Sequence, residues 1–99
     1  MSWQATSLAA DDNVATLLAA AASGGRVVVM TPGGELEIIA REAIALCHKI
    51  ALVDIAQGAA VVKYGDCIGE ATAPIRCGAW VHTHNLRSRR ARLAEGQAP

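Results

Sequence analysis

The run Asp54-Ile55-Ala56-Gln57-Gly58-Ala59-Ala60-Val61 returns twenty residues later as Pro74-Ile75-Arg76-Cys77-Gly78-Ala79-Trp80-Val81. The shared pattern, Ile-x-x-Gly-Ala-x-Val, prescribes a local structure: Ile enters the core, Gly permits a sharp turn, and Val opens the next strand. A fainter copy, Ala21-Ala22-Ser23-Gly24-Gly25-Arg26-Val27, keeps the small residue, the Gly and the Val. A period met two or three times is too brief for a solenoid, so it reads as internal pseudo-symmetry of one β-domain. Coincidence in an Ala-rich chain is the alternative.

Strand signals surround these turns. Arg26 to Met30, a Thr31-Pro32-Gly33-Gly34 turn and Glu35 to Ile39 predict a β-hairpin. Lys49 to Val53, Val61 to Tyr64, Cys67 to Thr72 and Trp80 to His84 predict further short strands, separated by turn signals at Gly58, Gly65-Asp66, Pro74 and Gly78. One helix of about ten residues is expected over Val14 to Ala22, where Val14, Leu17 and Leu18 have helical spacing, Asp11-Asp12-Asn13 offers a cap and Ser23-Gly24-Gly25 a stop.

Composition bounds what such a domain can do. Of the 99 residues 53% are hydrophobic, but 21 are Ala and none is Phe, so the core is thin and a tightly wound backbone or a partner's surface is expected to supply much of the stability. Residues 1–86 carry eight acids and five bases, whereas residues 87–99 carry four bases and one acid. A basic tail behind a mildly acidic body lacks the spread of Lys and Arg that nucleic-acid binding needs. Cys47, Cys67 and Cys77 form neither a disulfide framework nor a zinc knuckle, which suits reduced thiols in the cytoplasm. The N-terminus has no signal-peptide pattern, and no apolar run is long enough for a membrane span.

His82-Thr83-His84-Asn85 is the sharpest chemical feature, since on a strand residues i and i+2 share a face and two imidazoles could meet one ion. Two exposed or hydrogen-bonded strand histidines are the plainer alternative. Asp12 and Asn13 read as a cap or as a holder for a small acid. His48-Lys49 reads as a proton shuttle beside a carboxylate anchor, or as the polar start of a strand. Phosphate loops, dinucleotide fingerprints, nucleophile elbows and zincin motifs are missing.

Taken in order, Asp12-Asn13-Val14-Ala15, His48-Lys49-Ile50-Ala51-Leu52, Lys63-Tyr64-Gly65-Asp66-Cys67-Ile68-Gly69 and Val81-His82-Thr83-His84-Asn85-Leu86 resemble the SAF domain of altronate and galactarate dehydratases. That domain also occurs as the free-standing small subunit of related lyases, including sulfolactate sulfo-lyase. The resemblance covers about residues 7–86 and implies a mainly-β, β-clip fold over residues 1–86, with residues 87–99 as a basic tail. It further implies a metal-dependent β-elimination, in which a hydroxy acid loses water, or sulfite, and becomes a 2-keto acid.

By that resemblance His82 and His84 would be metal ligands, to Fe2+ or Mn2+, and Asp12, Asn13, His48, Lys49 and Asn85 would bind substrate. No general base is assigned. The family pattern has Gly where this chain has Cys47, and other residues at Cys67 and Pro74. The chain is expected to be the small subunit of a cytoplasmic two-component hydro-lyase, silent without a large catalytic subunit, with its tail as a docking element. A non-catalytic module for a small acid or carbohydrate, and a purely structural subunit, are the alternatives.

Overall fold

Val14, Ala15 and Leu17 are all fully buried, and they are divided between two cores. Only a strand can deliver near neighbours to opposite sides in this way, because successive side chains alternate across it. The computed structural model describes residues 3–88, and every regular element in them is a strand: β1 (Ala5–Thr6), β2 (Val14–Leu17), β3 (Arg26–Thr31), β4 (Gly34–Ile39), β5 (Lys49–Ala51), β6 (Ala60–Lys63), β7 (Asp66–Ala71), β8 (Trp80–Val81) and β9 (Leu86–Ser88).

These strands form a mixed six-stranded sheet, ordered β4-β3-β1-β2-β5-β8, and an antiparallel three-stranded sheet, ordered β6-β7-β9. The strip β2-β5-β8 lies between the cores. Ala15, Leu17, Ile50 and Leu52 face the first, together with Val27, Val29, Ile38 and Ile44. Val14, Ala51 and Val81 face the second, with Ile55, Val61 and Ile75. Each fully buried Leu, Ile or Val contributes about 1.5–3 kcal/mol relative to exposure.

The helix expected over Val14 to Ala22 is replaced by β2 and a turn. Helical propensity loses because β2 pairs antiparallel with both β1 and β5, while Leu18, Ala19 and Ala20 stay exposed. Asp12 therefore caps no helix. The hairpin β3–β4 is present, with Val28 opposite Glu37 and Thr31 opposite Gly34. The run Trp80 to His84 is strand only at Trp80–Val81; His82 to Asn85 then form a turn closed by the Asn85 and Leu86 N–H groups on the His82 carbonyl, at 3.0 and 2.9 Å. The chain leads into β9, so the fold continues to Ser88, and the rest of the basic tail lies outside the described residues.

The internal symmetry is fuller than the sequence shows. Segments 17–26, 40–49, 51–60 and 71–80 share one conformation, four copies in all. They dock in pairs: Ala21 bridges Ile44, and Ile55 bridges Ile75. In each copy the positive-φ residue donates its N–H to the carbonyl that begins its partner copy. Gly24 donates to Ala40 (2.8 Å), Cys47 to Leu17 (2.9 Å), Gly58 to Ala71 (2.7 Å) and Gly78 to Ala51 (2.8 Å). Cys47, at φ 72°, occupies the glycine position of the copy that the sequence pattern misses.

Candidate functional site

Strand β5 pairs with β8 so that Lys49 faces Val81 and Ile50 faces Trp80. One step further, this register sets His48 against His82, and their rings meet with centroids 4.8 Å apart. The Trp80 indole lies beside both. Its Nε1–H donates to His48 Nδ1 at 3.0 Å, and His82 stacks on it at 5.1 Å with planes 12° apart. His84 packs on the same indole at 4.8 Å, tilted by 39°. Three imidazoles thus gather round one indole at the end of a short strand.

The turn that carries them is fixed by side chain to backbone bonds. Asn85 Oδ1 accepts from the His82 N–H (2.9 Å) and Asn85 Nδ2 donates to the Trp80 carbonyl (2.8 Å). Glu42 Oε2 accepts the Trp80 N–H at 3.1 Å. Asn85 therefore shapes the site as well as lining it. Desolvation, then the neighbouring His48, Lys49 and His84, push the His82 imidazole below its ordinary pKa, so its neutral form prevails near pH 7. Lys49 is also held below the ordinary lysine value, first by burial and then by Lys63. Alternation along β5 puts the Lys49 side chain on the face opposite His48.

Asp12 and Asn13 are placed elsewhere. Asn13 would pair with Leu52 across β2 and β5, four residues from the His48 level, roughly 13 Å along the strand at about 3.3 Å per residue. Its amide ties the two sheets together, accepting from the Val62 N–H (2.7 Å) and donating to the Ala60 carbonyl (2.9 Å). Asp12 accepts the N–H groups of Leu8 and Ala9, each at 3.1 Å, and of Gly65 at 2.8 Å. Desolvation alone would raise its carboxyl, but the backbone donors outweigh it and hold the group below the usual carboxylate value. It also lines an apolar cleft of about 290 Å³ with Ser7, Pro32, Leu36, Leu52 and Val53.

One side chain at the site escaped the sequence reading of functional residues. Trp80 shares the parity of His82 and His84, a Trp-x-His-x-His pattern visible in the chain. On the Lys49 face, the Tyr64 hydroxyl lies 3.1 Å from Thr16 Oγ1, carried there by a hairpin turn with φ 55° at Tyr64 and 81° at Gly65. Thr16 in turn faces Lys49 across the sheet.

A hard divalent ion would need more than this chain gathers. Among the described residues no three His, Cys, Asp or Glu side chains come together as metal ligands. His48 Nδ1 is already occupied by the indole proton. The residues present do not by themselves fit Fe2+ or Mn2+.

Residues 3–89 match the family described as the altronate/galactarate dehydratase SAF domain. The chain belongs to this family. The SAF domain is 47% identical over 77 residues to altronate dehydratase of Escherichia coli K12, which covers 78% of the chain but 15% of that enzyme. It is 33% identical over 84 residues to (2R)-sulfolactate sulfo-lyase subunit alpha of Chromohalobacter salexigens, covering 82% of the chain and 89% of the relative. The subunit alpha of Paracoccus pantotrophus is 33% identical over 63 residues, covering 64% of the chain and 94% of the relative. The chain is thus a lyase-related small domain. Two of its relatives are subunits of a multi-subunit lyase, and no helix among the described residues is long and apolar enough to cross a membrane.

Proposed function

We propose that this SAF domain is the small subunit of a two-component lyase and supplies one wall of a site for a hydroxy acid. The observation that carries the reading is the gathering of His48, His82 and His84 around Trp80, beside the Asn85-closed turn. Imidazoles hydrogen-bond hydroxyl and carboxylate oxygens, and the Lys49 charge, felt at His82 from the other face of the strand, favours an anionic ligand. A large catalytic subunit completes the site. The reaction is a β-elimination: the proton beside the carboxylate is removed, the C–O bond at the next carbon breaks, water leaves, and the enol becomes a 2-keto-3-deoxy acid.

The dehydratase reading, for altronate- or galactarate-like acids, is supported by the 47% identity to altronate dehydratase. A sulfolactate reading, in which sulfite leaves instead, is supported by the near full-length coverage of two sulfo-lyase alpha subunits. In either case a Fe2+ or Mn2+ ion would take His82 and His84 from this chain and its remaining ligands from the partner.

The test is co-expression with a large lyase subunit from the same genome, followed by turnover of altronate, galactarate and sulfolactate. Activity of the pair, silence of the isolated chain and loss on His82→Ala with His84→Ala are expected. Full activity of the large subunit alone would refute a catalytic contribution, and turnover by the isolated chain would refute the two-component arrangement.

A further inference from the structure

We infer that Trp80 locks His48 in the tautomer with its proton on Nε2, making His48 a hydrogen-bond donor to a bound acid rather than a proton acceptor or a metal ligand through Nδ1. Indole Nε1–H can only donate, so the ring nitrogen 3.0 Å from it must offer a lone pair. In a neutral imidazole whose Nδ1 accepts, the remaining proton sits on Nε2.

The lock holds because the indole itself has little freedom. Its backbone N–H is bound by Glu42 and its carbonyl by Asn85, at 3.1 and 2.8 Å. His82 and His84 pack against its ring, which also packs on the first core. His48 is held from its own side, where its carbonyl accepts the Leu17 N–H at 2.9 Å and its N–H closes the turn on Ala45 at 3.1 Å. These bonds fix where the two side chains leave the backbone, and the rings and core packed on the indole hold it against His48.

The ligand chemistry follows from the proton's place. With Nδ1 taken, the polar atom that His48 can turn to a ligand is an N–H, so it selects an oxygen acceptor such as a carboxylate or an alcohol. This donor role rests on the proposed hydroxy-acid function; the tautomer does not.

Long-range proton–nitrogen correlation spectra of the 15N-labelled full chain, metal-free near pH 8, test the lock directly. His48 is expected to carry its proton on Nε2, with a scalar coupling across the hydrogen bond to the Trp80 indole nitrogen. In Trp80→Phe, which keeps an aromatic ring but removes the donor, the coupling should vanish and the second tautomer should become visible. A wild-type His48 protonated on Nδ1, or an unchanged tautomer balance in the variant, overturns the lock; the wild-type measurement stands even where the variant fails to fold.

In the assembled lyase, Trp80→Phe is expected to raise KM roughly three- to ten-fold, more than it lowers kcat, as for a misplaced binding hydrogen bond. A confirmed tautomer with unchanged KM overturns the donor role. Absence of turnover with every acid tried counts against the proposed function and leaves the spectroscopic result intact.

Discussion

His48 and His82 face each other across β5 and β8 with ring centroids 4.8 Å apart, although 34 positions separate them in the chain. Their proximity has a titration consequence. Desolvation first, and then the potential of His48, Lys49 and His84, disfavour the protonated His82 ring. In the metal-free chain its NMR midpoint is expected below that of an ordinary histidine, and Lys49→Met should move it upward. Because the folded value is depressed, the stabilisation is complete above the unfolded value of about 6.5 and is lost as pH falls toward the folded one. A His82 midpoint at or above that of a free imidazole would contradict the geometry.

The four turn copies make a matched set of substitutions. Cys47 has φ 72° where its counterparts are Gly24, Gly58 and Gly78, at φ 78°, 85° and 90°. A side chain in that region costs about 1–2 kcal/mol, against which glycine's unfolded-state freedom offsets about 0.5–1. Cys47→Gly is therefore expected to stabilise the chain by about 0.5–1 kcal/mol in urea unfolding. Gly58→Ala, with open space round its Cβ, should destabilise by a similar amount. Gly78→Ala should cost at least about 2 kcal/mol, because the new Cβ would overlap the Ile39 carbonyl oxygen. Equal effects at positions 58 and 78 would show that backbone conformation, not crowding, limits both.

This set also shows where the sequence was legible. Copies at Gly58 and Gly78 are readable because Ile, Gly, Ala and Val all recur, and the copy at Gly24 because three of its features survive. The copy at Ile44 keeps its spacing, Ile44-x-x-Cys47-His48-x-Ile50, but a cysteine in the glycine position hides it. The helix expected over Val14 to Ala22 fails for a different reason: Val14, Ala15 and Leu17 go to two cores, a division that depends on β5 arriving from 35 residues away. At the site, His48, His82, His84 and Asn85 were readable as chemistry, while the indole linking the rings depends on sheet register.

Asp12 separates a structural from a binding role. Its carboxylate gathers the N–H groups of Leu8, Ala9 and Gly65, tying the loop before β2 to the β6–β7 turn. Asp12→Ala is expected to cost about 1–2 kcal/mol, discounted for solvent access to these donors. Since its folded pKa is lowered, that contribution is present above the unfolded value of about 3.9 and disappears as pH falls through the folded one. The variant should accordingly lose less stability on acidification than the wild type. In the assembled lyase its KM should stay within about twofold of wild type; a KM rise above tenfold in a variant of undiminished stability would return Asp12 to the substrate site.

Metal dependence should distinguish the chain from the complex it is proposed to enter. Among the described residues no three side chains are arranged to hold a metal ion, and His48 Nδ1 is taken by the indole, so a lone chain is expected to offer Fe2+ or Mn2+ at most the His82 and His84 pair. A ligand that stabilises only the folded state does so by RT ln(1 + [L]/Kd), which stays below about 0.5 kcal/mol until the concentration exceeds Kd. Adding about 1 mM Mn2+ to the isolated chain is thus expected to leave its melting temperature within about 2 °C, and chelation to change nothing. In the assembled lyase, chelation should abolish turnover and re-addition restore it, with His82→Ala raising the Mn2+ concentration required by about ten-fold or more. Saturable micromolar Mn2+ binding by the isolated chain would mean that its own side chains complete a site, and equal Mn2+ requirements for wild type and His82→Ala would remove His82 from the ion's ligands.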